Sequence, residues 1–331
     1  MICMLGGMML AGLSACSGDD DATDVPDDSV KVRRLTITQT EDAVAARSIV
    51  GHASERASAE TDTGADATLG SVAHYFTRAT LVEDNGLTAS WTAGNDRLTY
   101  CNLMRTKYSE QTETYEPIFG NLTAASTAAT SQFTGNVTCS AGDYLAVVYP
   151  AATFTTNSQY TIALSGQDGT LAGLATRFHY VYGKALVNSV TDATADATMP
   201  KMKSLLTVCK FSFVNKDGGA VIPIKSLSIS YGGTGSDVGT YPQTATVAIG
   251  ANTEQADVHA TGAAGSSEAL TVTCSTVQDA VYVALLPTAA ARTFSFSVSD
   301  GSGNSYTGTA KATLTEGEYV EATGLRLTKQ Q

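Results

Sequence analysis

The chain has 331 residues, with 32 acidic and 20 basic side chains and a formal net charge of -12. This length fits two domains, each large enough to bury a core without a metal or a disulfide. The acidic balance argues against nucleic acid as a partner, because phosphate binding needs clustered basic side chains. Only 16% of the residues are charged, and Thr, Ser and Gly are abundant, which is typical of secreted all-β proteins.

The N-terminus has the pattern of an export signal. Residues 1–15 are apolar, too short to span a bilayer, and of the length of a secretory signal. They lead into a Leu-Ser-Ala-Cys tetrad at 13–16 that resembles a bacterial lipobox, so we expect a lipoprotein signal peptide and lipidation of Cys16. An ordinary signal with an incidental cysteine is the alternative. Because no Lys or Arg precedes the apolar stretch, we expect translation to start upstream of Met1.

An acidic segment follows at residues 16–31. It includes three consecutive aspartates at 19–21, and such a run repels itself and stays solvated, which predicts a flexible tether. A calcium loop is the alternative, but no Glu lies at the spacing of a bidentate ligand. The acids just after Cys16 also resemble the surface-export signal of lipoproteins in the Bacteroides group, which implies an outer-membrane protein that faces outward.

From residue 32 onward, short runs of alternating residues separated by turn residues predict β-sandwich strands. The clearest are 293–299, 226–231 and 270–274, where every second side chain is apolar. Further strands are predicted at 35–40, 76–82, 97–101, 133–139, 144–149, 160–164, 178–182, 205–214, 281–286 and 319–327. Gly and Asp clusters at 216–219 and 300–304 predict turns.

Two regions lack this pattern. The Ala-, Thr- and Asp-rich stretch 191–200 shows no alternating apolar face and is predicted to join two halves. We therefore expect an N-terminal β-sandwich domain at 32–195 and a C-terminal one at 196–331. Residues 41–70 are diluted by Gly, Ser and Asp, and we interpret them as mostly loop.

Several segments, taken in order, resemble the fimbrillin-like proteins of Bacteroidales, which form the type V pili. They are TRAT at 77–80, LTASW at 87–91, GNDRL at 94–98, FTG at 133–135, YLAVVYP at 144–150, the strand at 205–213, YVALLP at 282–287 and GEYV at 317–320. Each segment alone is common in β proteins, but their order together with the lipobox supports the resemblance. It covers about residues 75–327.

The resemblance implies two tandem transthyretin-like β-sandwich domains and a structural subunit of a cell-surface fimbria that supports adhesion. It also implies donor-strand exchange after a protease cuts beyond an arginine near the N-terminus. The partners would be other fimbrial subunits, the outer membrane through the lipid anchor, and a host or bacterial surface receptor. In such exchange, a lost strand uncovers unpaired backbone over an apolar groove, and a neighbour's strand fills both.

The resemblance can be placed on particular residues. The strand to be lost would lie at 34–40, with Leu35 and Ile37 filling the groove. The donor strand would come from the C-terminus of the neighbouring subunit, where Leu325 and Leu327 alternate with polar residues.

Three arginines are candidates for proteolytic processing. Arg47 and Arg56 lie in the predicted loop, which a protease can reach, whereas Arg78 lies inside a predicted strand. We therefore favour Arg56. An uncut chain, in which all three are ordinary surface arginines, is the alternative.

No pattern in the sequence indicates an enzyme or a cofactor. The histidines, His52, His74, His179 and His259, are too far apart to suggest a metal site. No nucleophile elbow, phosphate loop or dinucleotide fingerprint occurs. We therefore expect no catalytic, cofactor-binding or metal-binding residues.

Four cysteines follow the lipobox. They are Cys101, Cys139, Cys209 and Cys274. The last three lie at apolar positions in the alternating pattern of their strands, so we expect buried free thiols rather than disulfides. A disulfide within either half is the alternative, given an oxidising compartment.

The alternative function is a surface glycan-binding lipoprotein with tandem β-sandwich domains. It would share the lipobox, the tether and the β-domains, but it should expose a platform of aromatic side chains for sugar stacking. The one tryptophan, Trp91, is more readily a core residue. The 14 tyrosines keep the alternative open.

Overall fold

The computed structural model describes residues 32–39, 67–68, 72–73, 80–83, 87–128, 131–199, 202–250, 256–261 and 268–331. Within these ranges the chain is almost entirely β-structure, which confirms the all-β prediction. The predicted signal peptide, the tether and Cys16 lie outside the described residues. None of the described helical segments has the length and apolar character to cross a bilayer.

The strands of the described residues are β1 (Val32–Gln39), β2 (Ala67–Thr68), β3 (Val72–Ala73), β4 (Thr80–Glu83), β5 (Leu87–Ser90), β6 (Arg97–Ser109), β7 (Thr114–Ala124), β8 (Gln132–Thr138), β9 (Tyr144–Tyr149), β10 (Phe154–Thr156), β11 (Gln159–Ala163), β12 (Val181–Val190), β13 (Thr194–Met199), β14 (Lys203–Ser204), β15 (Thr207–Asn215), β16 (Ile224–Tyr231), β17 (Thr244–Ile249), β18 (Ala256–Thr261), β19 (Leu270–Gln278), β20 (Val281–Leu285), β21 (Arg292–Ser299), β22 (Ser305–Ala312) and β23 (Glu318–Lys329). A single α-helical turn, α1 (Leu171–Gly173), continues into a π-helical turn (Leu174–Phe178).

The N-terminal sheet has the strand order β13-β1-β8-β7-β6-β9-β12-β14. Because β12 also pairs with β13, seven of these strands close into a ring. One hydrophobic cluster fills its interior, and the buried Trp91 lies in it, with its ring centroid 4.8 Å from that of Phe133 and 5.4 Å from that of Tyr149. β1 is therefore an internal strand of the ring rather than an edge strand.

The ring continues past residue 195, the domain boundary that we expected from the sequence. β13 pairs with both β1 and β12, and it buries Ala195, Ala197 and Met199 on alternate positions. The expected junction at 191–200 therefore contains a strand of the ring. Its apolar face consists mainly of alanine, which gives only a weak alternation in the sequence.

The C-terminal sheet has the order β19-β16-β21-β22-β23-β15-β20. The three strands with the clearest alternation, at 226–231, 270–274 and 293–299, are confirmed as parts of β16, β19 and β21. Two short strands from early in the chain join this sheet, because β2 pairs with β22 and β3 pairs with β23.

A third sheet, β10-β11-β17-β18, combines strands from both halves of the chain. It covers a second hydrophobic cluster that also draws on both halves. β9 serves both cores, since Leu145 and Val147 face the ring interior whereas Ala146 and Val148 join the second cluster. This explains why β9 is apolar at nearly every position.

One predicted strand begins later than expected. We predict a strand at 178–182, but Phe178 lies in the π-helical turn and packs into the second cluster. The strand, β12, begins at Val181. Aromatic side chains suit both a strand and a buried turn, so the sequence pattern does not separate them.

Candidate functional site: the first strand and its slot

β1 lies between β8, to which it is antiparallel, and β13, to which it is parallel. Leu35 is opposite Gly135 on β8 and Ala195 on β13, and Ile37 is opposite Phe133 and Ala197 in the same way. We call this position between β8 and β13 the β1 slot. Two ladders of backbone hydrogen bonds hold the strand in it, although the strand comes before every other described element of the chain.

The inward face of β1 is as buried as any part of the core. Leu35 and Ile37 are both 0% exposed and belong to the ring cluster, whereas Arg34 is exposed and Thr36 is half-buried. This is the alternation that the sequence predicts for a strand with one core-facing side. The slot accepts the two large side chains because their neighbours on β13 are alanines.

Gly135 allows β8 to approach β7 closely in this part of the ring. A Cβ atom at this position would lie 2.5 Å from the backbone oxygen of Asn121 and 2.9 Å from Cδ2 of Leu122. Backbone cannot move aside as a flexible side chain can, so a larger residue would push β8 away from β7. The glycine therefore fixes one wall of the β1 slot.

Arg33 gives the slot a polar end. Its side chain is only 1% exposed, on the same face of β1 as Leu35 and Ile37. Its Nε donates to the backbone oxygen of Thr191 at 2.7 Å, and its Nη1 donates to the backbone oxygen of Cys139 at 2.6 Å. A guanidinium offers five donors in a fixed plane, which suits two carbonyl oxygens that converge from different segments. The sequence-based assignment missed Arg33, although its spacing from Leu35 places it on the inward face.

The residues expected to act as donor lie in β23, within their own C-terminal sheet. There β23 pairs with β15 in parallel and with β22 in antiparallel orientation, and Leu325 and Leu327 are 8% and 1% exposed. The strand has a break at Gly324, whose φ is +70°, and the register with β15 shifts next to it. A positive φ favours glycine, so the break is built into the sequence.

The chain between β1 and β5 crosses to the C-terminal sheet. β2 and β3 pair there, and Glu83 at the end of β4 contacts the same sheet through Lys210, Tyr282 and Tyr319. The Oε1 of Glu83 lies 2.6 Å from Nζ of Lys210 and 2.8 Å from the hydroxyl of Tyr319, and its Oε2 lies 2.5 Å from the hydroxyl of Tyr282. Burial opposes ionisation of Glu83, but these donors outweigh it and lower its pKa to about 2.

Arg47, Arg56 and Arg78, the candidate processing sites, lie outside the described residues. The described strands before and after each arginine show which strands a cut at that arginine would separate. A cut after Arg47 or Arg56 lies between β1 and β2. A cut after Arg78 lies between β3 and β4 and would also separate β2 and β3 from the rest of the chain.

The other groups considered in the sequence are placed as follows. Cys101, Cys139, Cys209 and Cys274 are buried free thiols. His179 is buried at the end of the π-helical turn. Among the described residues no three His, Cys, Asp or Glu side chains form a group that could hold a metal ion.

The sequence pattern also fails to predict a protruding hairpin. β6 and β7 continue as a two-stranded hairpin beyond the positions where they pair with β9 and β8. Tyr108 and Tyr115 on this hairpin are 55% and 72% exposed, and their ring centroids are 5.4 Å apart. β7 was not predicted because Pro117 and Gly120 interrupt its alternation.

Comparison with known proteins gives only structural likenesses. No protein-family model and no curated protein matches the sequence. A candidate cell adhesion protein from Bacteroides uniformis has a TM-score of 0.45 and 14% identity, over 79% of this chain and 96% of that one. Another from Bacteroides ovatus has a TM-score of 0.43 and 12% identity, over 80% and 96%. The shaft pilin SpaA from Lactobacillus rhamnosus GG has a TM-score of 0.30 and 9% identity, over 91% and 98%.

Proposed function

We propose that this chain is a structural subunit of a cell-surface fimbria, exported as a lipoprotein through Cys16 and polymerised by strand exchange in the β1 slot. The lipid would anchor the precursor in the outer membrane, and the fimbria would support adhesion to a host or bacterial surface receptor. One observation carries the proposal. β1 is an internal strand of the ring, yet it is joined to the remaining elements only through the stretch that contains Arg47 and Arg56.

The physical basis is what the loss of β1 would uncover. β1 pairs with β8 at seven positions and with β13 at six, so its removal opens the ring and leaves two rows of unpaired backbone groups. It also removes Leu35 and Ile37 from the core, and burial of such side chains contributes roughly 1.5 to 3 kcal/mol each. A strand from a second copy would restore the hydrogen bonds and the apolar contacts together.

The proposed donor is the C-terminal strand of the neighbouring subunit, with Leu325 and Leu327 entering the slot. In the single chain this strand is part of its own sheet, so donation requires it to leave that position. Deleting all of β23 is therefore a poor test, because Tyr319, Val320 and Ala322 are buried in the second cluster. The loss of these residues would unfold the C-terminal sheet.

Arg56 is the processing site that we propose. A cut after Arg56, or after Arg47, would free β1 while β2 and β3 remain attached to the C-terminal sheet. A cut after Arg78 would also detach β2 and β3, which pair with β22 and β23. The earlier sites thus open the β1 slot with the least disturbance elsewhere.

The test is to treat the full chain with an arginine-specific protease, sequence the new N-terminus and examine the product by electron microscopy. We expect filaments only after the cut, and we expect the double variant Arg47→Ala with Arg56→Ala to prevent both the cut and the filaments. The new N-terminus of the original chain shows which of the two arginines is used. Arg97→Ala, at an exposed arginine outside this region, is the matched control. A cut chain that has lost β1 and stays monomeric would overturn the proposal.

Glycan binding is a second candidate function, and one observation favours it. The exposed Tyr108 and Tyr115 present aromatic surface on the protruding hairpin, and aromatic faces suit the apolar faces of sugars. Retention of the full chain on immobilised polysaccharide, lost in Tyr115→Ala and without filaments, would favour this function over the fimbrial one.

A further inference from the structure

A strand that occupies the β1 slot has to supply a positive charge as well as two apolar side chains. The backbone oxygens of Thr191 and Cys139 converge on the buried guanidinium of Arg33. When β1 leaves, both oxygens lose a cationic donor. The loss is unfavourable at the buried Cys139, whereas Thr191 is exposed and its oxygen can accept from water. A strand that replaces β1 should therefore place apolar side chains at the positions of Leu35 and Ile37 and a positively charged side chain at the position of Arg33.

The ladders of the slot do not decide which way an occupant runs. β1 is parallel to β13 and antiparallel to β8. A strand that runs the opposite way is antiparallel to β13 and parallel to β8, so it also forms one ladder of each kind. The direction is therefore set by the side chains and not by the backbone pairing.

We infer that the occupant is residues 325–331 of a second copy, here called the C-terminal arm, inserted in the direction opposite to β1. Leu327 then takes the place of Leu35, Leu325 takes that of Ile37, and Lys329 takes that of Arg33. If the arm ran in the same direction as β1, with Leu325 in the place of Leu35, Thr323 would take the place of Arg33. The side chain of Thr323 carries no charge. This inference rests on the proposed function and adds the register and direction of the exchanged strand.

The arm is suited to leave its own sheet. It follows the break at Gly324, pairs with β15 at Leu325, Arg326 and Leu327, and pairs with β22 only at Thr328 and Lys329. In the single chain Lys329 is exposed while Leu325 and Leu327 are buried. Insertion would thus bury the same leucines again and move the ammonium to the two carbonyl oxygens.

Disulfide cross-linking tests the direction. In the inferred register Thr328 takes the place of Arg34, opposite Asn136, whereas in the other direction it takes the place of Thr38, opposite Gln132. All three cross-linking positions are exposed, and neighbouring strands of either direction lie about 4.8 Å apart, which is within the Cα separation that a disulfide spans. The full chain carrying Thr328→Cys with Asn136→Cys, or Thr328→Cys with Gln132→Cys, is cut with the arginine-specific protease and oxidised.

We expect covalent multimers on a non-reducing gel with the Asn136→Cys pair alone. Multimers with the Gln132→Cys pair alone would overturn the direction. Filaments without a cross-link in either pair would exclude the C-terminal arm as the occupant. No filaments from the cut chain without introduced cysteines would instead count against strand exchange itself, so the two failures are distinguishable.

Charge substitution tests the role of Lys329. We expect Lys329→Ala to slow filament growth of the cut chain about tenfold or more, since hydrogen bonds to charged groups are the stronger ones. Lys329→Arg should restore growth to near the original rate. Lys311→Ala, at another exposed lysine of the same sheet, is the control for a general effect of charge. Growth of Lys329→Ala at the original rate would overturn the cation requirement.

Discussion

The carboxylate of Glu83 lies 2.6 Å from the ammonium of Lys210, a residue 127 positions later in the sequence. The hydroxyls of Tyr282 and Tyr319 donate to the same carboxylate. Four side chains from β4, β15, β20 and β23 thus meet at one point. The contact fixes the segment that leads into the ring against the C-terminal sheet, and it would remain after a cut at Arg47 or Arg56.

We predict that Glu83→Gln lowers the free energy of unfolding at pH 7 and matters much less at pH 2. The pKa of Glu83 is lowered from 4.5 to about 2, so its contribution is present above pH 4.5 and is lost as the pH falls toward 2. After allowance for solvent screening we expect a loss of about 1 to 2 kcal/mol at pH 7. Urea denaturation at both pH values measures it, and the exposed Glu110→Gln is the control. An equal loss at both pH values would contradict the ionic explanation.

We predict that Ile37→Ala destabilises the uncut chain by about 2 to 5 kcal/mol, the usual range for a buried aliphatic side chain. Thr36→Ala, on the other face of β1, should change stability far less. Trp91, the only tryptophan, lies in the ring cluster, so its fluorescence in urea reports the unfolding of the ring. If the two variants unfold at the same urea concentration, Ile37 does not hold β1 in the slot.

The sequence predicts β1 well because Leu35 and Ile37 alternate with polar residues. The same kind of alternation predicts the burial of Cys139, Cys209 and Cys274. It fails at β13, where Ala195 and Ala197 supply a weak apolar face. Local patterns also carry no information on partners far away in the chain. The contact of Glu83 with Lys210 depends on how the sheets pack, and the role of Arg33 depends on carbonyl oxygens that are more than 100 residues away.

We predict that Arg33→Met destabilises the uncut chain by about 1 to 3 kcal/mol. The methionine fills similar space, but the backbone oxygen of the buried Cys139 loses a charged donor, while the oxygen of the exposed Thr191 can accept from water instead. Arg33→Lys should recover part of the loss because it keeps a cation at the slot. The control is Arg34→Met, next along β1 and exposed. Equal urea midpoints for the methionine variants at 33 and 34 would contradict the role of the carbonyl contacts.

We predict that Gly135→Ala destabilises the ring by about 1 to 3 kcal/mol, because the new Cβ would lie 2.5 Å from the backbone oxygen of Asn121. Gly218→Ala is the matched control, since a Cβ at that glycine meets no atom within 4 Å. The midpoint of Trp91 fluorescence in urea measures both variants. A Gly135→Ala protein as stable as its control would show that β8 can shift without loss, and the slot would then have no fixed wall.

We predict that Cys101, Cys139, Cys209 and Cys274 resist alkylation in the folded chain and react fully in denaturant. The thiolate is the reactive form, and burial raises the pKa of Cys101 to about 12. That thiol also lies 3.0 Å from the backbone oxygen of Asn157. Iodoacetamide at pH 8 followed by mass spectrometry measures the modification, with Thr328→Cys as an exposed control. Rapid modification of Cys101 would mean that the sheet over it opens readily, and the cross-linking of introduced cysteines would then have to be repeated with Cys101→Ser.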